Sequence, residues 1–183
     1  MPDWAELGEL YLDVYREPPY GEGEPETARF RETVSRHALL PGFAVTTVRH
    51  GGVLAGFAYG VGREAGWWHP RATAAAPARL ARHPVFYVYE LAVRPGLRGR
   101  GLGRDLLDRL LGARPEPFAV LAASMAAPAH AMYRRWGWQP VGSLTPGRSE
   151  LLALPLSGRA PGNHPPGGAP RAGERHRAGD RRA

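Results

Sequence analysis

Apolar residues recur along this chain first at helical and then at alternating spacing. Leu7, Leu10, Tyr11 and Val14 share one helical face. The turn-rich run Glu17-Pro18-Pro19-Tyr20-Gly21 breaks that helix, and a second is expected over about 25–38 with Phe30 and Val34 inward. Residues 43–49 and 53–61 read as a hairpin around Gly51-Gly52. A long excursion, 62–83, carries Trp67-Trp68 and a short helix near 77–82. The apolar run 85–93 is a strand that stops at Pro95, and Leu102, Leu106, Leu107, Leu110 and Leu111 then return to helical spacing. A strand near 118–122, a helix opening at Pro128 and closing at Gly137, and short strands near 138–142 and 150–154 complete the pattern. This order suits an α/β domain built on one mixed, mostly antiparallel sheet with helices on both faces.

At 183 residues the chain fits one domain with a sizeable core. Residues 1–157 form that domain. Residues 158–183 are rich in Gly, Pro, Ala and Arg, with no aromatic or β-branched residue, and are expected to be disordered. There is no cysteine, which excludes disulfides, thiolate nucleophiles and Cys-ligated metal. No apolar run is long enough to span a membrane and no secretory segment opens the chain, so a cytoplasmic protein is the default. The net charge is +7, and every basic residue is Arg. The tail holds six arginines against two acids but lacks interleaved aromatics for base stacking, which argues against nucleic-acid binding. His69, His83 and His130 lack a metal-ligand spacing, and no metal is expected.

The densest chemistry lies at the end of the 85–93 strand. Arg98-Gly99-Arg100-Gly101-Leu102-Gly103-Arg104 is a basic, glycine-rich turn that opens a helix. Glycines allow tight turning and close backbone approach, and the first helical N–H groups lack intrahelical partners. Together with the helix dipole they suit a phosphate. No Gly-Lys-Ser/Thr follows, so this is not a P-loop, and Arg104 stands where a dinucleotide fingerprint needs its third glycine.

The spacing Arg98-x-x-Gly101-x-Gly103 resembles the pyrophosphate-binding motif of the GNAT superfamily of N-acetyltransferases. Some thirty residues later Ala129, Tyr133, Gly137 and Trp138 resemble that superfamily's Ala-x-x-x-Tyr-x-x-x-Gly-Phe/Trp helix. One departure is Ala126, where such proteins often carry Asn seven residues before the tyrosine. The resemblance implies a GNAT-like fold, although only residues 1–3 precede the first helix, so either the usual first strand is missing or the true start lies upstream.

It also implies acetyl-CoA as co-substrate. The pyrophosphate would lie on backbone N–H groups from about 98 to 104, with Arg98, Gly99, Arg100, Gly101, Leu102, Gly103 and Arg104 as its contacts. The strand end Leu91-Ala92-Val93 would splay from its neighbour and offer backbone groups to the pantetheine arm and the thioester oxygen. Tyr133 would protonate the departing thiolate.

Making an amine neutral requires a base, since its pKa lies near 10. Glu90 is the only acid in its strand. By alternation it shares a face with Phe86, Val88 and Ala92, where an unpaired carboxylate is costly. Its readings are base, substrate anchor, structural ion pair with a nearby Arg, or an exposed Glu next to a sheet edge. Tyr20, Trp67 and Trp68, with the acids Glu22, Glu24 and Glu26, are candidates for the acceptor site.

The expected activity is direct acetyl transfer from acetyl-CoA to a primary amine of a small molecule. The alternative is a non-catalytic acyl-CoA-binding module, which Ala126 favours and Tyr133 and Glu90 oppose. The resemblance also allows a homodimer.

Overall fold

The computed structural model describes residues 3–156. The Arg- and Gly-rich segment 158–183 lies outside them. Asp3 caps the first helix, α1 (Trp4–Tyr15), by accepting the Ala5 N–H at 2.8 Å. Helix α2 (Glu24–His37) begins at Gly23, whose N–H is taken by Glu26 at 3.0 Å. Then follow β1 (Ala44–His50), β2 (Val53–Arg63), the single turn α3 (Ala78–Ala81) and β3 (Val85–Val93). Helix α4 (Leu102–Leu111), β4 (Phe118–Ser124), α5 (Pro128–Arg135), β5 (Gln139–Ser143) and β6 (Ser149–Pro155) complete the described chain. No strand precedes α1 among the described residues.

One six-stranded sheet runs in the order β1-β2-β3-β4-β6-β5, and only β3 and β4 are parallel. On one face Leu106, Leu107, Leu110 and Leu111 of α4 and Tyr133 of α5 pack on Ala58, Phe86, Val88, Ala119 and Leu121. Each buried Leu, Val or Phe side chain among them contributes about 1.5–3 kcal/mol. On the other face Leu7, Leu10, Tyr11 and Val14 of α1 and Phe30 and Val34 of α2 cover Phe57, Tyr59 and Ala92. The 62–83 excursion extends that cover, placing Trp67 and Trp68 against Tyr87, Val120 and Leu151. Arg94, just after β3, pairs with Asp13 of α1 and donates to the Leu54 carbonyl at 2.9 Å, tying the end of α1 to the sheet.

A bulge breaks the alternation assumed for β3. Tyr59 stands opposite Glu90 and Gly60 opposite Val88, so Tyr89 has no partner on β2. Tyr89 and Glu90 therefore project to the same side, toward α1 and α2. This corrects the expected face of Glu90. It keeps Ala92 as a neighbour, but Phe86 and Val88 lie on the opposite face under α4.

Candidate active site

The parallel pairing of β3 and β4 covers only Val85–Val88 against Phe118–Leu121. Beyond it β3 runs on to Val93 and β4 to Ser124 without pairing, so the two strands splay. The Arg94 N–H bonds to the Ala55 carbonyl at 2.9 Å, across β2. By alternation the backbone groups of Ala92 also face β2, and those of Leu91 and Val93 face the gap. The gap opens into a cleft of about 500 Å³ walled by β3, the start of α4, α5 and the end of α1. Leu91 and Val93 line it. Ala92 does not, because its side chain is buried under α1.

The glycine turn forms one end of this cleft. Gly99 and Gly101 have φ of 77° and 81°, a left-handed conformation that costs a residue with Cβ about 1–2 kcal/mol. The first helical bond of α4 runs from the Asp105 N–H to the Gly101 carbonyl at 3.0 Å. The N–H groups of Leu102, Gly103 and Arg104 thus lack helical partners and open on the cleft. A Cβ on Gly103 would sit 3.7–3.9 Å from Trp136, Val93 and Leu91, in space the cleft now uses. Those features fit a pyrophosphate approached by bare backbone.

The arginines of the turn are less free than the sequence suggested. Arg98 donates to the Val93 carbonyl at 3.1 Å and pairs with Glu17 at 2.7 Å. Arg104 pairs with Asp108 at 3.1 Å and lies 5.4 Å over the Trp136 ring. Arg100 is exposed and lies outside the cleft walls.

Helix α5 starts at Pro128 and presents Tyr133 to the cleft. The ring is wedged edge-on between Trp136 at 6.0 Å and Trp138 at 5.9 Å. Its hydroxyl has no hydrogen-bond partner among the described residues and is free for a ligand. Burial, then the nearby Tyr20 and Glu90, push its pKa up, so it stays protonated. Tyr20 lines the same cleft, edge-on to Tyr15 at 4.9 Å. Ala126 is exposed at the turn before α5 and offers no polar atom from its side chain.

Glu90 faces a second cavity of about 290 Å³ between α1, α2 and the β2–β3 pair. Its walls are aromatic and charged: Tyr11, Phe30, Tyr59 and Tyr89 with Glu22, Glu26 and Glu90, and with Arg29, which pairs with Glu26. Tyr11 stacks on Phe30 at 4.3 Å and holds Glu22 through its hydroxyl. Tyr59 stacks on Tyr89 at 5.6 Å. Burial pushes the Glu90 pKa up to about 8; the Glu22 charge adds to this, and the Tyr15 hydrogen bond opposes it. No basic side chain pairs with Glu90 among the described residues. The structural ion pair is therefore not formed.

Trp67 and Trp68 line neither cavity. Trp67 meets Tyr87 edge-on at 5.2 Å with the Arg63 guanidinium 5.3 Å from its ring, and Trp68 donates to the Ala74 carbonyl at 3.2 Å. Glu24 is exposed at the start of α2, outside both cavities. His130 bonds to Glu150 at 2.7 Å, and no group of three or more His, Cys, Asp or Glu able to hold a metal ion occurs among the described residues.

The sequence reading missed Tyr15, whose ring lines the cleft at the glycine turn while its hydroxyl donates to Glu90 at 2.7 Å. The available signal was its place four residues after Tyr11 on the helix face that carries Leu7 and Val14.

The acetyltransferase (GNAT) family model matches residues 4–138. Solved structures share the fold at low identity. A GNAT acetyltransferase from Desulfovibrio desulfuricans is 18% identical, with 86% of this chain and 95% of that one covered and a TM-score of 0.59. The ribosomal-protein-S18-alanine N-acetyltransferase of Escherichia coli is 17% identical over 86% and 91%, with a TM-score of 0.55. The PaiA N-acetyltransferase of Thermoplasma acidophilum, solved with coenzyme A, is 12% identical over 84% and 92%, with a TM-score of 0.56. No curated protein compared with the chain matches it. The chain belongs to the GNAT acetyltransferase family, and its chemistry is that of an acyltransferase.

Proposed function

We propose that this GNAT family member moves an acetyl group from acetyl-CoA to a primary amine of a small molecule, by direct transfer while both are bound. Residues 1–157 are the catalytic unit, working in the cytoplasm where acetyl-CoA is supplied. The observation that carries the reading is the pairing of two cavities across β3. One is open to the strand gap, the glycine turn and the unpartnered Tyr133 hydroxyl; the other is faced by Glu90.

The open N–H groups at the start of α4 support a bound pyrophosphate, and those of Leu91 and Val93 support the pantetheine arm and the thioester oxygen. When bound, acetyl-CoA supplies the activated acyl group. Glu90 takes a proton from the ammonium and frees its lone pair for attack. Tyr133 gives its proton to the departing thiolate. The second cavity holds the acceptor. Its aromatic rings and the carboxylate of Glu22, with Glu26 offset by Arg29, favour a cationic amine over an anionic or purely aliphatic one.

Thiol release from acetyl-CoA with a panel of small amines tests the reading. Amine-dependent release is expected, strongest for cationic amines small enough for the second cavity. Tight acetyl-CoA binding by calorimetry with no amine-stimulated release would favour a binding module instead.

A further inference from the structure

We propose that Tyr15 is the positioning residue for Glu90, fixing one carboxylate oxygen at the seam of the two cavities and leaving the other to receive the amine proton. The inference rests on the reading of Glu90 as base.

Tyr15 ends α1, and its side chain belongs to both halves of the site. The ring lines the cofactor cleft beside Val14 and Tyr20 and tilts against Tyr11 at 4.4 Å. The hydroxyl reaches back to Glu90 Oε2 at 2.7 Å. Glu90 lines the other cavity. One phenol therefore forms part of the wall between the cofactor cleft and the acceptor cavity, and carries the hydrogen bond that crosses it.

The surroundings leave Glu90 no stronger anchor. Tyr11 and Tyr15 approach from α1, Glu22 and Tyr20 from the following loop, and Glu26 and Arg29 from α2. Tyr59 comes from β2, Tyr87 and Tyr89 from β3, and Tyr133 from α5. Of the cations nearby, Arg29 is paired to Glu26 at 2.9 Å and Arg63 donates to the Tyr89 hydroxyl. Burial and Glu22 both disfavour the charged carboxylate, and the Tyr15 hydrogen bond opposes them. Tyr15 itself stays protonated, because burial and the Glu90 charge push its pKa well up.

The proton balance is simple. The ammonium N–H bond breaks, an O–H bond forms at Glu90 Oε1, and the nitrogen keeps the electron pair that attacks the acyl carbon. With Oε2 bonded to Tyr15, the carboxylate cannot turn away from the acceptor without losing a charge-assisted hydrogen bond.

The test is the pH profile of kcat/KM for the amine in the wild type, Tyr15→Phe and Glu90→Gln. The wild type should show an acid limb near pH 8, the value to which burial raises Glu90. Tyr15→Phe keeps the ring and removes the bond. Its limb should move up by about one to two pH units, with unchanged KM for acetyl-CoA and an intact melting transition. Carbon-13 titration of labelled glutamate, assigned with Glu90→Gln, reads the same shift without turnover. If the phenylalanine variant does not fold, Tyr15→Met should show the same upward shift of the limb, whatever its loss of ring area does to the KM for acetyl-CoA. A limb that stays at the wild-type pH in Tyr15→Phe but vanishes in Glu90→Gln overturns the role of Tyr15 alone. A wild-type limb in Glu90→Gln overturns the base itself.

Discussion

Replacing Glu90 with glutamine should make the folded protein more stable at alkaline pH and leave it unchanged at acidic pH. An acid whose folded pKa is raised binds its proton more tightly in the native state than in the unfolded chain. For Glu90 the ordinary value of 4.5 rises to about 8. Below pH 4.5 both states are protonated and the group is neutral in each. Between 4.5 and 8 the unfolded chain releases the proton and the native state holds it, so stability falls as pH rises. Above 8 the loss is complete. At full strength a shift of this size corresponds to roughly 5 kcal/mol, at about 1.4 kcal/mol per unit. Glu90 is only partly buried and faces an open cavity. Solvent screening reduces the effect to about 2 kcal/mol. For a domain of this size that is a melting shift of roughly 4–8 °C. His37 opposes the trend at lower pH. Burial and Arg63 depress its pKa from 6.5 to about 4, so its contribution is present above 6.5 and lost as pH falls through 4. The wild-type curve therefore mixes the two, and the difference between Glu90→Gln and wild type isolates the carboxylate. Thermal melts every half unit from pH 4 to 9 should give a difference near zero at the acid end that grows toward pH 8 and then levels. A difference that is flat across the range would refute the buried, proton-holding Glu90.

Other outcomes follow from the same geometry. Gly101→Val places a Cβ-branched residue at φ 81°, and Gly103→Val fills space between Trp136, Val93 and Leu91; both should weaken acetyl-CoA binding by calorimetry while the far-ultraviolet spectrum is kept. Tyr133→Phe should lower kcat by roughly 10²–10⁴-fold if proton donation to the thiolate limits the rate, with little change in acetyl-CoA affinity and no recovery at high pH. Glu17→Gln releases Arg98 from a half-exposed ion pair worth at most about 1 kcal/mol, so melting should barely move. If that arginine reaches the pyrophosphate, acetyl-CoA should bind more tightly in Glu17→Gln, and unchanged affinity would argue that Arg98 remains bound to the Val93 carbonyl.

Much of this arrangement was legible in residue order because it depends on local pattern. The leucines at 102, 106, 107, 110 and 111 define α4 by spacing, and the structure begins and ends that helix on the first and last of them. Pro95 marks the end of β3, whose observed span matches its apolar run. Gly101 marks the left-handed residue that starts the helix. The strand end, glycine turn and helix start that wall the larger cleft are nearly consecutive residues, and consecutive residues carry their geometry in their spacing.

The cavity faced by Glu90 is made from residues far apart in sequence, and there local pattern fails. Glu90 and Tyr15 are 75 positions apart, and Tyr11 and Glu22 meet across the turn that joins α1 to α2. Strict alternation would also have paired Glu90 with the wrong face. A β-bulge has no reliable residue signature, because it answers to the partner strand: Gly60 of β2 lies against Phe86 and the Tyr87 carbonyl so closely that a Cβ there would come within 2.5–2.6 Å of them. That close approach is possible only at glycine, and it coincides with the register shift that leaves Tyr89 unpaired. The bulge turns one extra residue toward α1 and α2 and so brings a carboxylate under the Tyr15 hydroxyl instead of into the leucine core beneath α4. The position of Glu90 is thus set by β2 and α1 acting on β3, and the residue type at 90 can serve the proposed chemistry only because two other segments aim it.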